Sequence, residues 1–105
     1  MKLILATCPT DQAQVLARTL VQLNLVACIN IIPKMLSIYS WNEDIVEDTE
    51  SLLIMKTSAN SLAQLKEAFH TAHPYEVPEF LAMDVDTSSS SQTYIDWVNQ
   101  MTQGS

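Results

Sequence analysis

Between residues 27 and 57, the pattern of apolar and polar positions predicts two long strands folded into a hairpin, the second with an acidic near half (Ile45 to Glu50) and an apolar far half (Leu52 to Met55). The first arm is rich in Ile and aromatic residues, which suit a pleated, half-buried surface. Asn42, Glu43 and Asp44 are the predicted turn, although they include no glycine. Within the first arm, one parity carries Leu36, Ile38 and Ser40, and the other carries Met35, Ser37, Tyr39 and Trp41.

The length of the predicted hairpin points to assembly. Each arm is about 13 residues, whereas a usual strand has about 5 or 6. A strand that extends past its own sheet leaves N–H and C=O groups unpaired, and such groups tend to pair with another chain. Pro33 predicts a bend or bulge in the first arm, since proline cannot donate to a ladder. The hairpin is therefore predicted to serve both the core and an assembly.

Before the hairpin, the pattern predicts a strand and a helix. The run Lys2–Cys8 is apolar without a helical period and is followed by Pro9, so we expect a buried strand. Thr10 is the predicted cap of a helix that begins at Asp11 and stops at Asn24. Its apolar stripe recurs at helical spacing and consists of Ala13, Leu16, Ala17, Leu20 and Leu23.

After the hairpin, the pattern predicts a second helix, a strand and a terminal helix. The second helix is capped by Ser58 or Ser61, and its buried stripe consists of Leu62, Leu65, Phe69 and Ala72. Pro74 and Pro78 end this pattern, because neither can continue a helix. The last strand is predicted at Phe80–Val85. The terminal helix opens at Ser91 or Gln92, carries Tyr94, Trp97, Val98 and Met101 on one side, and precedes a frayed tail at Gly104 and Ser105.

The predicted order is β-α-β-β-α-β followed by a terminal helix, which is an α+β, ferredoxin-like arrangement. Residues 1–105 are expected to form one such domain. We expect the first and third strands to be parallel, each crossover to be right-handed, and both helices to lie on one face of the sheet. The other face would be a large exposed apolar patch unless it were covered, and another subunit is the expected cover.

Charge and hydropathy argue against two classes of function. The 12 acidic residues outnumber the 5 Lys and Arg residues, giving a formal net charge of −7, whereas nucleic-acid binding needs basic residues to neutralise phosphates. No apolar run approaches the roughly 18 residues that span a membrane. The apolar segment Leu3–Ala6 is too short for a signal peptide, so a cytoplasmic location is expected. There, Cys8 and Cys28 are expected to be reduced and buried.

Five of the acidic residues lie between Glu43 and Glu50, at the predicted tip of the hairpin. One interpretation is a solvated tip that charge keeps soluble. The other is a carboxylate-rich surface that attracts cations weakly and without selectivity.

The densest cluster of reactive side chains is the segment His73–Glu79, HPYEVPE. Its two prolines stiffen the backbone, and a stiff loop loses little entropy when it holds a ligand. Imidazole and carboxylate together can ligate a divalent ion or relay a proton, but they can equally form a structural hydrogen-bonded pair. With one glycine in the chain, no Gly-rich phosphate cradle is available. Tyr39 and Trp41 are either packing residues at an interface or the walls of a pocket.

Several motifs together resemble the CutA divalent-cation tolerance family. They are, in order, TCP, ACINIIP, SIYSW, ESLLIMKT, HPYEVPE and YIDW, and they cover essentially the whole chain. The resemblance implies a ferredoxin-like subunit that forms a tight homotrimer through its long hairpin strands. It also implies an architecture similar to that of the PII signalling proteins, with clefts between subunits, and an association with tolerance to copper and other divalent metals. No enzymatic activity comes with the family.

The chain departs from the family pattern at two glycines and in a set of copper ligands. The glycines are replaced by Lys34 and Glu43, so we expect a differently shaped and, with Asp44, more acidic tip. Of three ligand positions seen in some bacterial members, the matching residues are Ala6, Ala72 and His73. With one ligand of that set left, we expect only a weakly bound copper or zinc ion, held by His73 and Glu76.

We therefore interpret the chain as a non-enzymatic, cytoplasmic homotrimer that responds to metal ions or takes part in small-ligand signalling, with no catalytic residue and no required cofactor. The candidate residues of its inter-subunit cleft are Tyr39, Trp41, Glu50, Lys56, His73, Tyr75 and Glu76. Lys56 would hold an anionic ligand or neutralise Glu76. The alternatives are an enzyme in which Glu76 orients His73 as acid/base, and a purely structural trimer that displays its acidic hairpin to a protein partner.

Overall fold

A computed structural model describes residues 1–102, in which the predicted order of elements is present. The predicted tail at Gly104 and Ser105 lies outside the described residues. Short 3-10 turns at Thr10–Gln12, Ala59–Ser61 and Thr87–Ser89 precede the three helices. The regular elements are β1 (Lys2–Cys8), α1 (Ala13–Gln22), β2 (Cys28–Trp41), β3 (Asp44–Thr57), α2 (Leu62–Ala72), β4 (Phe80–Asp84) and α3 (Gln92–Met101).

The four strands form one sheet in the order β2-β3-β1-β4, and every neighbouring pair is antiparallel. The expectation of parallel first and third strands is wrong, since Ile4 of β1 faces Met55 of β3 in an antiparallel register. The reason is topological. The α1 crossover makes β2 parallel to β1, and β3 reverses direction at the hairpin before it enters the gap between them. The predicted ferredoxin-like arrangement is confirmed.

The core lies between the sheet and helices α1 and α2, which pack on the same face as predicted. Leu23, predicted to be buried, is 51% exposed, because α1 ends at Gln22 and Asn24 then turns the chain with a φ of 59°. Ala72, predicted in the α2 stripe, is also exposed at the last position of its helix. The main core side chains are Ile4, Ala6, Cys8, Leu16, Leu20, Val26, Leu53, Met55, Leu65 and Phe69.

Two other local predictions need correction. Thr10 does not cap α1. Its hydroxyl instead accepts a hydrogen bond from Ser51 Oγ at 3.1 Å, which ties the 3-10 turn to β3. On α3 the buried residues are Ile95 and Val98 rather than the predicted stripe as a whole. The other three predicted residues, Tyr94, Trp97 and Met101, are each 39% exposed.

The hairpin is built from two 14-residue strands that pair from Cys28 opposite Lys56 to Trp41 opposite Asp44. The predicted bulge is confirmed by a register shift between Ile32 and Met35. The pairing of β1 with β3 stops at Cys8 opposite Ser51, so residues 44–50 of β3 extend past the rest of the sheet. The predicted overshoot of the hairpin is therefore present.

Lys34 and Glu43 stand where the family pattern has glycine, and the backbone at both positions has the geometry that glycine favours. Lys34, inside the bulge, has a φ of 60°, and Glu43, in the hairpin turn, has a φ of 71°. Asn42 also has a positive φ, of 51°. The turn is therefore a two-residue loop with two left-handed residues, and Asp44 belongs to β3 rather than to the turn.

The outer face of the sheet, opposite α1 and α2, is partly open. Helix α3 contacts β3 and carries Tyr94 beside Cys28. Leu81 and Met83 of β4 are 57% and 39% exposed. No helix in residues 1–102 combines the length and the apolar character that a membrane crossing requires.

Candidate functional site

A pocket of about 330 Å³ extends along the protruding part of the hairpin, beside the loop that joins α2 to β4. Nine residues line it. Three of them are aromatic, Tyr39, Trp41 and Tyr75, and four are acidic, Asp48, Glu50, Glu76 and Glu79. Thr7 and Val77 complete the lining.

The strand register explains why the hairpin residues meet in this pocket. Residues opposite each other in an antiparallel pair project from the same face of the sheet, and successive residues alternate between faces. Tyr39 and Trp41 share the parity of Met35, which is paired with Glu50. They therefore lie on the same face as Glu50. The parity noted in the sequence is confirmed as the arrangement that builds this wall.

His73 lies beneath the pocket rather than in its lining. It is 8% exposed, and its Nε2 lies 2.7 Å from the carbonyl oxygen of Thr7. Its Nδ1 accepts a hydrogen bond from the backbone N–H of Tyr75 at 3.1 Å. We assign the neutral tautomer with the proton on Nε2, because only that form satisfies both contacts. The ring also contacts those of Phe69 and Tyr75, with centroids 5.0 Å and 4.7 Å away. His73 therefore fixes the loop that carries Tyr75.

Lys56 lies away from the pocket. It is opposite Cys28 at the other end of the hairpin and donates a hydrogen bond to Asn30 Oδ1. It lies six positions along β3 from Glu50, about 20 Å at the rise of a strand. Within one subunit, Lys56 therefore neither neutralises Glu76 nor reaches a ligand in this pocket.

Of the seven predicted residues, five line the pocket: Tyr39, Trp41, Glu50, Tyr75 and Glu76. Their placement between subunits stays a prediction. Sequence reasoning missed Asp48 and Glu79 as site residues. Asp48 shares the strand face of Glu50 on β3, and Glu79 ends the HPYEVPE segment. The sequence pattern could therefore have predicted both residues as part of the site.

Glu50 is the most unusual residue of the pocket. It is 7% exposed, yet within residues 1–102 it has no hydrogen-bond or ion-pair partner. The described residues contain no fully enclosed side-chain oxygen that lacks a partner, so the Glu50 carboxylate opens to the pocket it lines. A carboxylate that is largely removed from water is costly unless it is paired. The Glu50 carboxylate therefore offers the pocket an acceptor that no hydrogen-bond donor of residues 1–102 satisfies.

The carboxylates also act on their neighbours. Burial, followed by the charges of Glu50 and Asp48, raises the pKa of Tyr75 above its ordinary value. Burial and the charge of Asp48 likewise raise the pKa of Tyr39, whose hydroxyl donates to Asp48 Oδ2 over 3.5 Å. Burial, followed by the charge of Glu50, raises the pKa of the Cys8 thiol to about 11. Both tyrosines and Cys8 are therefore neutral at pH 7.

Metal binding and acid/base chemistry at His73 meet the same geometric constraint. Both ring nitrogens are engaged by backbone groups, so a metal would have to displace one of those contacts. No hydrogen bond joins His73 to Glu76 within residues 1–102, and the same part of the chain has no group of three His, Cys, Asp or Glu side chains arranged to hold a metal ion. The weak His73–Glu76 metal site stays a prediction. Cys8 and Cys28 are both free, Cys8 buried and Cys28 half-buried.

The fold and the pocket beside the hairpin define a ferredoxin-like subunit of the PII-like class, and solved structures agree. The PII-like protein CutA from Nostoc sp. PCC 7120, in apo form, superimposes with a TM-score of 0.94 at 39% identity, over 98% of both chains. The chain belongs to the family described as CutA1 divalent ion tolerance protein, which matches residues 2–101.

Two further relatives support the assignment. The divalent-cation tolerance protein CutA of Thermus thermophilus is 38% identical over 102 residues, 96% of this chain and 97% of that protein. Its solved counterpart from the same organism has a TM-score of 0.90. The protein CutA of Mus musculus is 40% identical over 98 residues, 92% of this chain. The chain spans about half, 54%, of the mouse protein.

Proposed function

We propose that this chain forms a cytoplasmic homotrimer that responds to divalent cations without catalysing a reaction, and that the pocket beside the hairpin is its cation-binding site. The observation that carries the proposal is Glu50, a largely buried carboxylate that faces a pocket and lacks a partner in residues 1–102. The family relationship adds support, because relatives are named for divalent-cation tolerance.

Trimer formation is supported by surfaces that a lone subunit leaves open. The hairpin extends past β1, and its protruding part carries exposed apolar side chains, namely Leu36 at 60%, Ile38 at 60% and Ile45 at 74%. Unpaired strand edges and apolar patches of this kind favour association with another chain. Three copies would cover the hairpins and the open face of the sheet at once.

The absence of catalysis is supported by the state of His73, the residue best suited to act as an acid or base. Its two nitrogens serve the backbone, and it lies outside the pocket lining. We expect copper and zinc to bind weakly, because a closed site for these ions needs more good ligands than His73 and Glu76 supply. Such an ion would not be a required cofactor.

The proposal is tested with protein purified without chelator. Native mass spectrometry and light scattering should give a trimer at micromolar concentration. Calorimetry with copper and zinc should give weak binding that Glu50→Gln reduces. Glu47→Gln is the matched control, because it removes the same charge from the same strand at an exposed position of the opposite parity.

Three results would contradict parts of this proposal. If light scattering shows a monomer at micromolar concentration, the proposed trimer is wrong. A tight, stoichiometric copper site that is lost in His73→Ala would show that the ligand set has been misjudged. Equal effects of Glu50→Gln and Glu47→Gln would mean that metals bind the general acidic surface rather than the pocket.

A further inference from the structure

We propose that the preferred occupant of the pocket is an organic cation, an ammonium or guanidinium group on a short hydrocarbon chain, rather than a bare metal ion. This inference rests on the proposed function, because it takes the pocket to be a cation site. It goes further by naming the chemical class of the ligand from the side chains that line the pocket.

The charge of the pocket selects for a cation. Asp48, Glu50, Glu76 and Glu79 contribute four carboxylates, and no Lys, Arg or His is among the nine described residues of the lining. The whole chain carries a net charge of −7, which raises the local concentration of cations. Glu50 supplies the acceptor that a bound N–H group would satisfy, since it has no partner in the described part of the chain.

The aromatic walls distinguish an organic cation from a metal ion. Tyr39, Trp41 and Tyr75 present three rings to the same pocket, and ring faces attract ammonium and guanidinium groups. A divalent metal gains little from such faces, because it needs several oxygen or nitrogen ligands at about 2.0 to 2.6 Å. Residues 1–102 provide no group of three suitable side chains. Tyr39 and Trp41 are 42% and 47% exposed, so both rings are accessible to a ligand.

The size of the pocket limits the ligand to a small molecule. Its volume of about 330 Å³ is near the lower end of ligand pockets, which span about 300 to 1,000 Å³. The carboxylates are distributed between the hairpin and the loop, Glu50 on one side and Glu76 and Glu79 on the other. A short chain with a charged group at each end would use both sets. A guanidinium suits Glu50 best, because it pairs with a carboxylate through two N–H groups, and either charged end of such a chain can stack on an aromatic ring of the lining.

The test uses the assembled protein and calorimetry with four probes. Agmatine carries a guanidinium and an ammonium on four carbons, putrescine carries two ammonium groups on the same chain, and 1,4-butanediol is the neutral analogue. Copper is the metal probe. We expect agmatine to bind more tightly than putrescine, butanediol not to bind, and added salt to weaken the binding of both amines.

Two pocket variants, each with a matched control, locate the binding. Glu50→Gln should lower agmatine affinity about 10- to 100-fold, because it removes a charge-assisted hydrogen bond, whereas Glu47→Gln should leave it unchanged. Trp41→Leu should lower affinity about 3- to 30-fold through loss of the cation–π contact. Trp97→Leu alters a comparably exposed tryptophan on α3, outside the lining, and should have no effect. The two pocket variants are independent, so the test survives if one of them fails to fold.

The outcomes of these experiments distinguish failure of the organic-cation inference from failure of the proposed function. If copper binds in a Glu50-dependent manner and neither amine binds, the organic-cation inference is overturned and the metal response stands. If butanediol binds as well as putrescine, recognition is not cationic and the inference is again overturned. If no probe binds and Glu50→Gln dissociates the assembly, a basic side chain of a second copy fills the pocket, and both ligand proposals fall.

Discussion

Replacing Glu43 with glycine should stabilise the protein, although it removes a side chain. Glu43 occupies the second position of the hairpin turn with a φ of 71°, after Asn42 with a φ of 51°. A two-residue turn with positive φ at both positions prefers Asn-Gly. Asparagine tolerates this region, whereas the Cβ of glutamate crowds the following carbonyl group. The present sequence therefore has the favoured residue at the first position and a strained one at the second.

The expected gain is the difference between two terms. The left-handed conformation costs a residue with a Cβ roughly 1 to 2 kcal/mol, and Glu43→Gly would remove that cost. Glycine makes the unfolded chain more flexible, which offsets about 0.4 to 1 kcal/mol of the gain. We expect a net increase of about 0.5 to 1 kcal/mol per chain in the free energy of unfolding.

The assay is equilibrium unfolding in guanidinium chloride at one fixed protein concentration, because the stability of an oligomer depends on concentration. Glu43→Ala is the control for charge, since it removes the same carboxylate from the acidic tip but keeps the Cβ. Glu47→Gly is the control for backbone, since Glu47 lies within β3, where glycine should destabilise the strand. If Glu43→Gly is no more stable than Glu43→Ala, relief of charge repulsion accounts for any gain, and the backbone argument is wrong.

Three further predictions concern single residues. His73→Ala should reduce the free energy of unfolding by about 2 to 4 kcal/mol, since it removes two hydrogen bonds and buried ring contacts. If chemical denaturation shows almost no change, His73 does not fix the loop that carries Tyr75. Glu50→Gln should lower the pKa of Tyr75, measured by ultraviolet titration of tyrosinate, because the Glu50 charge is second only to burial in raising it; an unchanged titration curve would show that Glu50 does not act on the pocket. The hydrogen bond and charge from Lys2 hold the pKa of Asp84 below its ordinary value, so its stabilising contribution is present above that value and is lost on acidification. Asp84→Asn should therefore lower stability at pH 7 but not at strongly acidic pH, and equal losses at both would refute the ion pair.

The local elements of this protein were determined by short-range sequence patterns. The apolar run Lys2–Cys8, the helical stripes and the alternation along the hairpin each involve neighbours in sequence, and the corresponding elements are present. Alternation also fixed the shared face of Tyr39 and Trp41, because side chains along a strand alternate whatever the strand pairs with. Pro33 predicted the bulge, because the lack of a backbone N–H is a property of proline itself and does not depend on the rest of the fold.

The candidate site was only partly determined in this way. The HPYEVPE segment and the hairpin supplied most of the lining, since each segment carries its own polar residues. The role of His73 could not be predicted, because its partner Thr7 is 66 residues away in the chain. Within one subunit Lys56 lies away from the pocket that Glu76 lines, and their meeting in an inter-subunit cleft stays a prediction. A motif gives the order of residues along a strand but not which of them lies beside a loop from elsewhere.

Tertiary structure alone decided the direction of β3 against β1, the burial of Glu50 and the strained turn at Glu43. The direction follows from where the hairpin returns to the sheet, and burial depends on elements distant in sequence that close around a side chain. The positive φ at Glu43 runs against the preference of the residue. It is maintained because the pairing of two 14-residue strands fixes where the chain must reverse, and the summed energy of that pairing exceeds the conformational preference of one residue.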